Sequence, residues 1–291
     1  MFDKLFVFGD SFMYGEESHQ HEFEQQQFIK DASSAVGRTI KLDKNGVPAT
    51  PFTAAETNKY IKFINEMIPK SGVHPNDNSI GALLSKQLNI PMLMHAQSGN
   101  SNNTIYKTFI DCLPDMTENS LVIFGISQTT RKSYYEGDWI ERHKYKHVTS
   151  CWADVTSKPS WEKYQELDIM FGDDATARVL QTYSYVTSAK SLCPGKILFI
   201  DPFHQFCDNK YHPDIPLNYV RSNSFDFKNY KHHNLLDHLE KEFKNLFCYG
   251  ISKVFEEVES DGYPIQCING HYSKYTYEKY VEQIILKHES L

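Results

Sequence analysis

Short, mainly apolar runs alternate along this chain with longer stretches of helical period. The runs are Leu5–Phe8 (LFVF), Met92–Ala96, Leu121–Gly125 (LVIFG) and Lys196–Asp201 (KILFID). A strand buried on both faces needs such continuity, so these four stretches predict strands of a parallel sheet. Between them, Ala54–Ile68 places Tyr60, Ile61, Ile64, Met67 and Ile68 on one helical face. A second helix carries Ile80, Leu83, Leu84 and Leu88, with Asn78 or Ser79 as its cap. The polar turn 97–103 leads into a helix bearing Ile105, Phe109 and Ile110. Asp173 or Asp174 caps a long helix striped by Val179, Leu180, Tyr183, Val186 and Leu192, which Pro194-Gly195 ends. Asn234–Phe247 and a last helix beginning after Ser273, with Tyr277, Tyr280, Val281, Ile284 and Ile285 inward, complete the pattern. Strands that hand over to helices in this way predict an α/β fold with a doubly wound parallel sheet.

Three regions lack a period: Glu16 to about Pro51, 131–172, and 202–230. The expected organisation is one domain over 1–291, with insertions at about 16–75 and 131–172. The second insertion holds Trp139, Trp152 and Trp161 with several tyrosines. Those aromatics serve either as a small core of the insertion's own or as a platform for a sugar or acyl group.

Composition narrows the function. Thirty basic residues against thirty-seven acidic ones give a net charge of −7 without a long run of either sign, so a basic nucleic-acid-binding face is excluded. The apolar runs are too short to cross a membrane, and a strand within the first residues predicts no secretory leader and hence a cytoplasmic protein. Six cysteines are scattered with no Cys-x-x-Cys pair, the usage of reduced thiols. His19 and His21 have no acidic or cysteine partner at ligand spacing; two solvated loop histidines are expected there, and no metal. His232, His233 and His238 read as surface residues of their helix.

The chemistry concentrates at the strand ends, where parallel sheets place their ligands. Gly9-Asp10-Ser11 puts a serine at the end of the first strand; Gly99 and Asn102 follow the second, and Ser127 the third. His271 stands in a loop just ahead of the last helix. A serine hydroxyl becomes a nucleophile when a histidine takes its proton, and turn residues leave backbone N–H groups free to hold the resulting oxyanion.

These blocks resemble those of the GDSL, or SGNH, hydrolase family. Gly9-Asp10-Ser11-Phe12 matches its nucleophile block, Gly99 with Asn102 its glycine block, and Gly270-His271 with Ser273 its closing histidine block. The resemblance implies a flavodoxin-like, three-layer α/β/α fold whose central parallel sheet has about five strands. It also implies a serine esterase mechanism with no metal or organic cofactor. Ser11 would be the nucleophile and His271 the general base, with oxyanion donors from Ser11, Gly99, Asn102 and Ser127. Two positions depart from the pattern. Ser127 stands where the family offers an asparagine, and Ile268 where it places an aspartate three residues before its histidine. Asn269 is the nearby candidate to orient the imidazole, with Asp261 and Asp201 more remote. The long insertions and the final block also resemble GDSL-type proteins encoded by phages, which would associate the chain with a virion. Two functions follow: hydrolysis of a small or carbohydrate-borne carboxylic ester, or a binding or structural role on a decayed hydrolase fold. A nucleotide-binding flavodoxin-like protein is the third, and no glycine-rich phosphate loop supports it. Oligomeric state is not legible in the sequence.

Overall fold

The computed structural model describes residues 2–72, 74–127, 132–136, 146–150, 175–202, 251–268 and 270–287. In chain order the elements begin with β1 (Lys4–Phe8), α1 (Ser11–Tyr14), a 3₁₀ helix at Ser18–Glu22, α2 (Gln25–Val36) and α3 (Ala54–Ser71). A 3₁₀ helix at Pro75–Asn78, α4 (Ile80–Leu88), β2 (Met92–Met94), α5 (Asn102–Cys112) and β3 (Ser120–Gly125) follow. Next come β4 (Lys132–Glu136), β5 (Lys146–Ser150), α6 (Ala175–Leu192) and β6 (Lys196–Ile200). A 3₁₀ helix at Ile251–Val254, α7 (Phe255–Ser260) and α8 (Lys274–Lys287) close the chain. The chain divides into two compact units, one of Met1–Asp10 with His95–Gly250 and the other of Ser11–Met94 with Ile251–Leu291.

The first unit is built on parallel pairing. β1 pairs with β3, Leu5 opposite Leu121 and Phe8 opposite Phe124, and β3 pairs with β6, Gly125 opposite Ile200. Alongside β1, His95 N–H donates to the Val7 carbonyl at 2.8 Å and Gln97 N–H to that of Gly9 at 3.2 Å. One face of this sheet presents Phe6, Phe8, Val122, Phe124 and Phe199 to Ile105 and Phe109 of α5 and to Val186 and Ala189 of α6. Phe109 meets Phe8 and Phe124 edge-on at 5.7 and 5.8 Å, the arrangement that ring quadrupoles favour. Leu5, Val7, Leu121, Ile123 and Ile200, which alternate with these along the strands, are buried as well. The apolar runs of β1 and β3 therefore mean what they predicted, strands covered on both faces, whereas Leu93 of β2 is exposed. The fold is α/β, with a parallel sheet flanked by helices. Leu192, expected inward, is half exposed in the last turn of α6. β4 and β5 form an antiparallel ribbon within the aromatic insertion, whose tryptophans lie outside the described residues.

The second unit is largely helical. The region from Glu16, read as aperiodic, contains α2, whose Phe28, Ala32 and Val36 recur at four-residue spacing and are buried against Tyr60, Ile64 and Met67 of α3. Only three of its twelve residues are buried, too few for the stripe to stand out from a polar sequence. Its start is marked instead by Glu24, whose carboxylate accepts from the N–H groups of Gln26 and Gln27. A capping box opens α3: Thr53 accepts from Glu56 N–H, and the Glu56 carboxylate accepts from Thr53 N–H at 2.8 Å. Ile61, assigned to the inner face of α3, is exposed, and Phe63 packs on the cluster in its stead. Ser79 caps α4 and Ser273 caps α8, each accepting from the N–H three residues on. α8 packs against α4 and buries Tyr277, Tyr280, Val281 and Ile284. Asn234–Phe247 falls outside the described residues.

The turn into β6 carries a testable constraint. A Cβ on Gly195 would run into the Ser120 carbonyl and lie 2.8 Å from that of Thr117. Both are backbone atoms next to β3 and cannot rotate aside. Gly195→Ala is expected to cost about 1–3 kcal/mol, as overpacking does. A lower urea midpoint at unchanged slope would show it; an unchanged midpoint would refute it.

Candidate active site

The end of β1 hands over to the candidate site residues. Asp10 closes the first unit and is wholly buried; its carboxylate accepts the Ser127 hydroxyl at 3.0 Å. The Asn102 side chain pairs with the Ser127 backbone in both directions, accepting its N–H at 2.8 Å and donating to its carbonyl at 2.9 Å. The same amide also donates to the Thr182 hydroxyl at 3.3 Å. Two residues expected as oxyanion donors thus meet each other: Asn102 uses its amide on the Ser127 backbone, and the Ser127 hydroxyl is directed to Asp10. Gly99 lies in the turn before α5 with φ +82°, a conformation glycine adopts without strain. Its backbone N–H donates to no described residue. Asn100 fastens this turn by donating from its side chain to the Gly9 carbonyl at 3.1 Å.

Ser11 opens α1 and the second unit, and it is 3% exposed. Its side chain makes no hydrogen bond to another described residue. The chain then arches back, and Glu16 N–H donates to the Ser11 carbonyl at 3.1 Å. That arch returns Glu16 and Glu17 towards the helix start they have just left.

His271 belongs to a tight reversal between Ile265 and Ser273. Cys267 N–H donates to the His271 carbonyl at 2.6 Å, Ser273 N–H to that of Ile265 at 3.0 Å, and the Gln266 side chain to that of Gly270 at 2.9 Å. The imidazole lies 4.9 Å, centroid to centroid, from the Phe12 ring, on the residue next to Ser11. Its Nδ1 is 3.3 Å from the Glu17 carboxylate and its Nε2 3.7 Å from that of Glu16. Phe12 is held in turn by Tyr272, edge-on at 5.2 Å, and its carbonyl accepts the Tyr277 hydroxyl at 2.8 Å. The helix bearing Ser11 and the loop bearing His271 are therefore locked together.

None of the carboxylates named from the sequence reaches the imidazole among the described residues of this unit. Asp261 is on the surface and pairs with Lys279 at 3.2 Å. Asp201 belongs to the other unit, and Asn269 lies outside the described residues. Ile268, at the position where the family carries its aspartate, packs in the hydrophobic cluster of α2 and α3. Glu16, Glu17 and Tyr277 went unrecognised: the two glutamates sit in a stretch without a period, and Tyr277 reads as one more member of an apolar stripe.

The histidines of the 3₁₀ helix correct another expectation. His19 and His21 are buried, not solvated. Gln20 between them accepts the Tyr60 hydroxyl at 3.2 Å and the Ile268 N–H at 3.3 Å, and its amide contacts His21 Nε2 at 3.3 Å. Cys267 Sγ lies 3.6 Å from the same nitrogen. This polar plug fastens the segment after Ser11 to the loop before His271. Burial, with the nearby Lys274 ammonium second, pushes the His21 pKa down to about 4. Burial lowers that of His19 too and raises the Cys267 thiol well above its ordinary value. Among the described residues no cluster of three or more His, Cys, Asp or Glu could hold a metal ion. No helix among them is long and apolar enough to cross a membrane.

No family model matches the chain, and no curated protein matches it. Solved structures similar to it include two of low identity. One is a crystal structure of a member of the lipolytic protein G-D-S-L family from Veillonella parvula DSM 2008, 10% identical, with 99% of this chain and 98% of that chain covered and a TM-score of 0.42. The other is described as a carbohydrate esterase whose active site displays divergent catalytic and non-catalytic binding functions, 11% identical, with 99% of this chain and 69% of that chain covered and a TM-score of 0.38. The functional reading rests on the side chains described above.

Neutral burial of His21 ties stability to pH. The unfolded imidazole takes its proton near 6.5 and the folded one near 4, so the unfolded state binds more protons in between. Stability is expected to fall as pH drops through that window, by on the order of 3 kcal/mol from this group. Urea unfolding at pH 7, 5.5 and 4.5 reads the slope. His21→Gln should flatten it, and an equally steep slope in that variant would refute the assignment.

Proposed function

We propose that the chain is a serine hydrolase of carboxylic esters, with Ser11 as nucleophile and His271 as general base. The observation that carries this reading is the seating of His271 on Phe12, 4.9 Å between rings, beside the residue that would be attacked through. In the proposed reaction Ser11 Oγ adds to the ester carbonyl carbon while His271 Nε2 takes its proton. The tetrahedral oxyanion collapses, expelling the alcohol, which leaves with the proton from His271. Water, deprotonated by the same imidazole, then releases the acid from acyl-Ser11. The backbone N–H of Ser11 is a proposed oxyanion donor. Asn102 and Ser127 are assigned a scaffolding role on the strength of the bonds they already make. The proposed substrates are small acyl esters, including those borne on carbohydrate.

A second reading is a binding protein on a hydrolase fold, and a specific observation favours it. The side chains at two expected donor positions are engaged elsewhere, and one missing oxyanion donor costs about a hundred- to thousandfold in rate. Hydrolysis of p-nitrophenyl acetate separates the two. The parent is expected to turn over, and Ser11→Ala and His271→Ala each to lose at least a thousandfold in kcat while remaining folded. A parent without turnover, or one that Ser11→Ala leaves unchanged, would move the assignment to the binding protein.

A further inference from the structure

We infer that Glu17 is the carboxylate that orients His271, in place of the acid the family carries just ahead of its histidine. The inference rests on the esterase reading for its catalytic meaning but on independent geometry for its substance. Glu17 Oε2 stands 3.3 Å from His271 Nδ1, the ring nitrogen away from the one that would receive the serine proton. The Glu17 side chain is 3% exposed and that of His271 13%. A carboxylate withdrawn from water needs a partner, and burial makes the attraction between this pair far stronger than at the surface.

The backbone adds a second, independent sign. Glu17 has φ 68° and ψ −9°, the left-handed region that a long side chain rarely adopts. Strain of this kind persists where the surroundings over-determine a conformation, and such places cluster at functional sites. Glu17 occupies the N-cap position of the 3₁₀ helix Ser18–Glu22, yet its carboxylate accepts no capping hydrogen bond there. The side chain is turned to the imidazole instead. Glu16 lies farther off, 3.7 Å from Nε2, the nitrogen that would receive the serine proton, and so cannot serve as the orienting acid on Nδ1. Ile268 in the hydrophobic cluster closes the alternative route, since an aspartate there would be buried among Phe28, Val36 and Tyr60. The two atoms are buried and close without being aligned as a hydrogen bond; a carboxylate so placed would favour the Nδ1–H tautomer and leave Nε2 free to act as base.

The test pairs kinetics with a structural readout that does not need turnover. In two-bond ¹H–¹⁵N spectra of the full chain, the parent should show the His271 Nδ1–H tautomer, and Glu17→Gln should shift it to a mixture. With p-nitrophenyl acetate, Glu17→Gln should lower kcat by about a thousand- to ten-thousandfold with KM within threefold, as loss of an orienting carboxylate does. Glu17→Asp should recover at least tenfold over Glu17→Gln. Should Glu17→Gln not fold, Glu17→Asn, which tolerates left-handed backbone, takes its place in both measurements. An unchanged tautomer with kcat within threefold of the parent would overturn the inference. If the parent shows no turnover at all, the esterase reading fails on its own, and the tautomer measurement alone upholds or overturns the contact between Glu17 and His271.

Discussion

The hydrogen bond from the buried Tyr277 hydroxyl to the Phe12 carbonyl joins two stretches more than 250 residues apart in sequence, and the candidate site depends on it. Phe12 follows the proposed nucleophile, and Tyr277 lies on the helix that follows the proposed base. A carbonyl in the first turn after Ser11 and a tyrosine hydroxyl in an apolar stripe would each be costly to bury unpaired. Their pairing fixes the helix that begins at Ser11 against α8. The Phe12 ring, thus placed, forms the seat of the His271 imidazole. A side-chain-to-backbone hydrogen bond and an aromatic contact thus place Ser11's helix and the His271 loop together.

Polar groups withdrawn from water support this arrangement from below. Gln20 links the 3₁₀ helix, α3 and the loop before His271 through one side-chain amide. His21 remains uncharged because burial opposes its protonation, so the plug adds no positive charge beside the site. These bonds tie the 3₁₀ helix to the loop that carries His271. In the first unit Asp10, Ser127, Asn102 and Thr182 do comparable work at the ends of β1 and β3.

The chain's apolar runs and helical stripes determine its α/β class without help from tertiary structure. A strand such as LVIFG has no polar face to leave in water, and Ser79, Ser101 and Ser273 mark helix starts through local hydrogen bonds. Ser11 and His271 stand out for the same local reason, each in a turn at the edge of a regular element. α2 and the outward turn of Ile61 were not legible, because a polar helix takes its buried face from whatever packs on it. The partner of the imidazole belongs to the tertiary structure alone. Glu17 lies 254 residues before His271, in a stretch with no period, and only the arch after Ser11 and the reversal around Gly270 bring the two to 3.3 Å. Contacts across such a separation are set by how the chain closes on itself, and nothing in the local spacing of either residue records them.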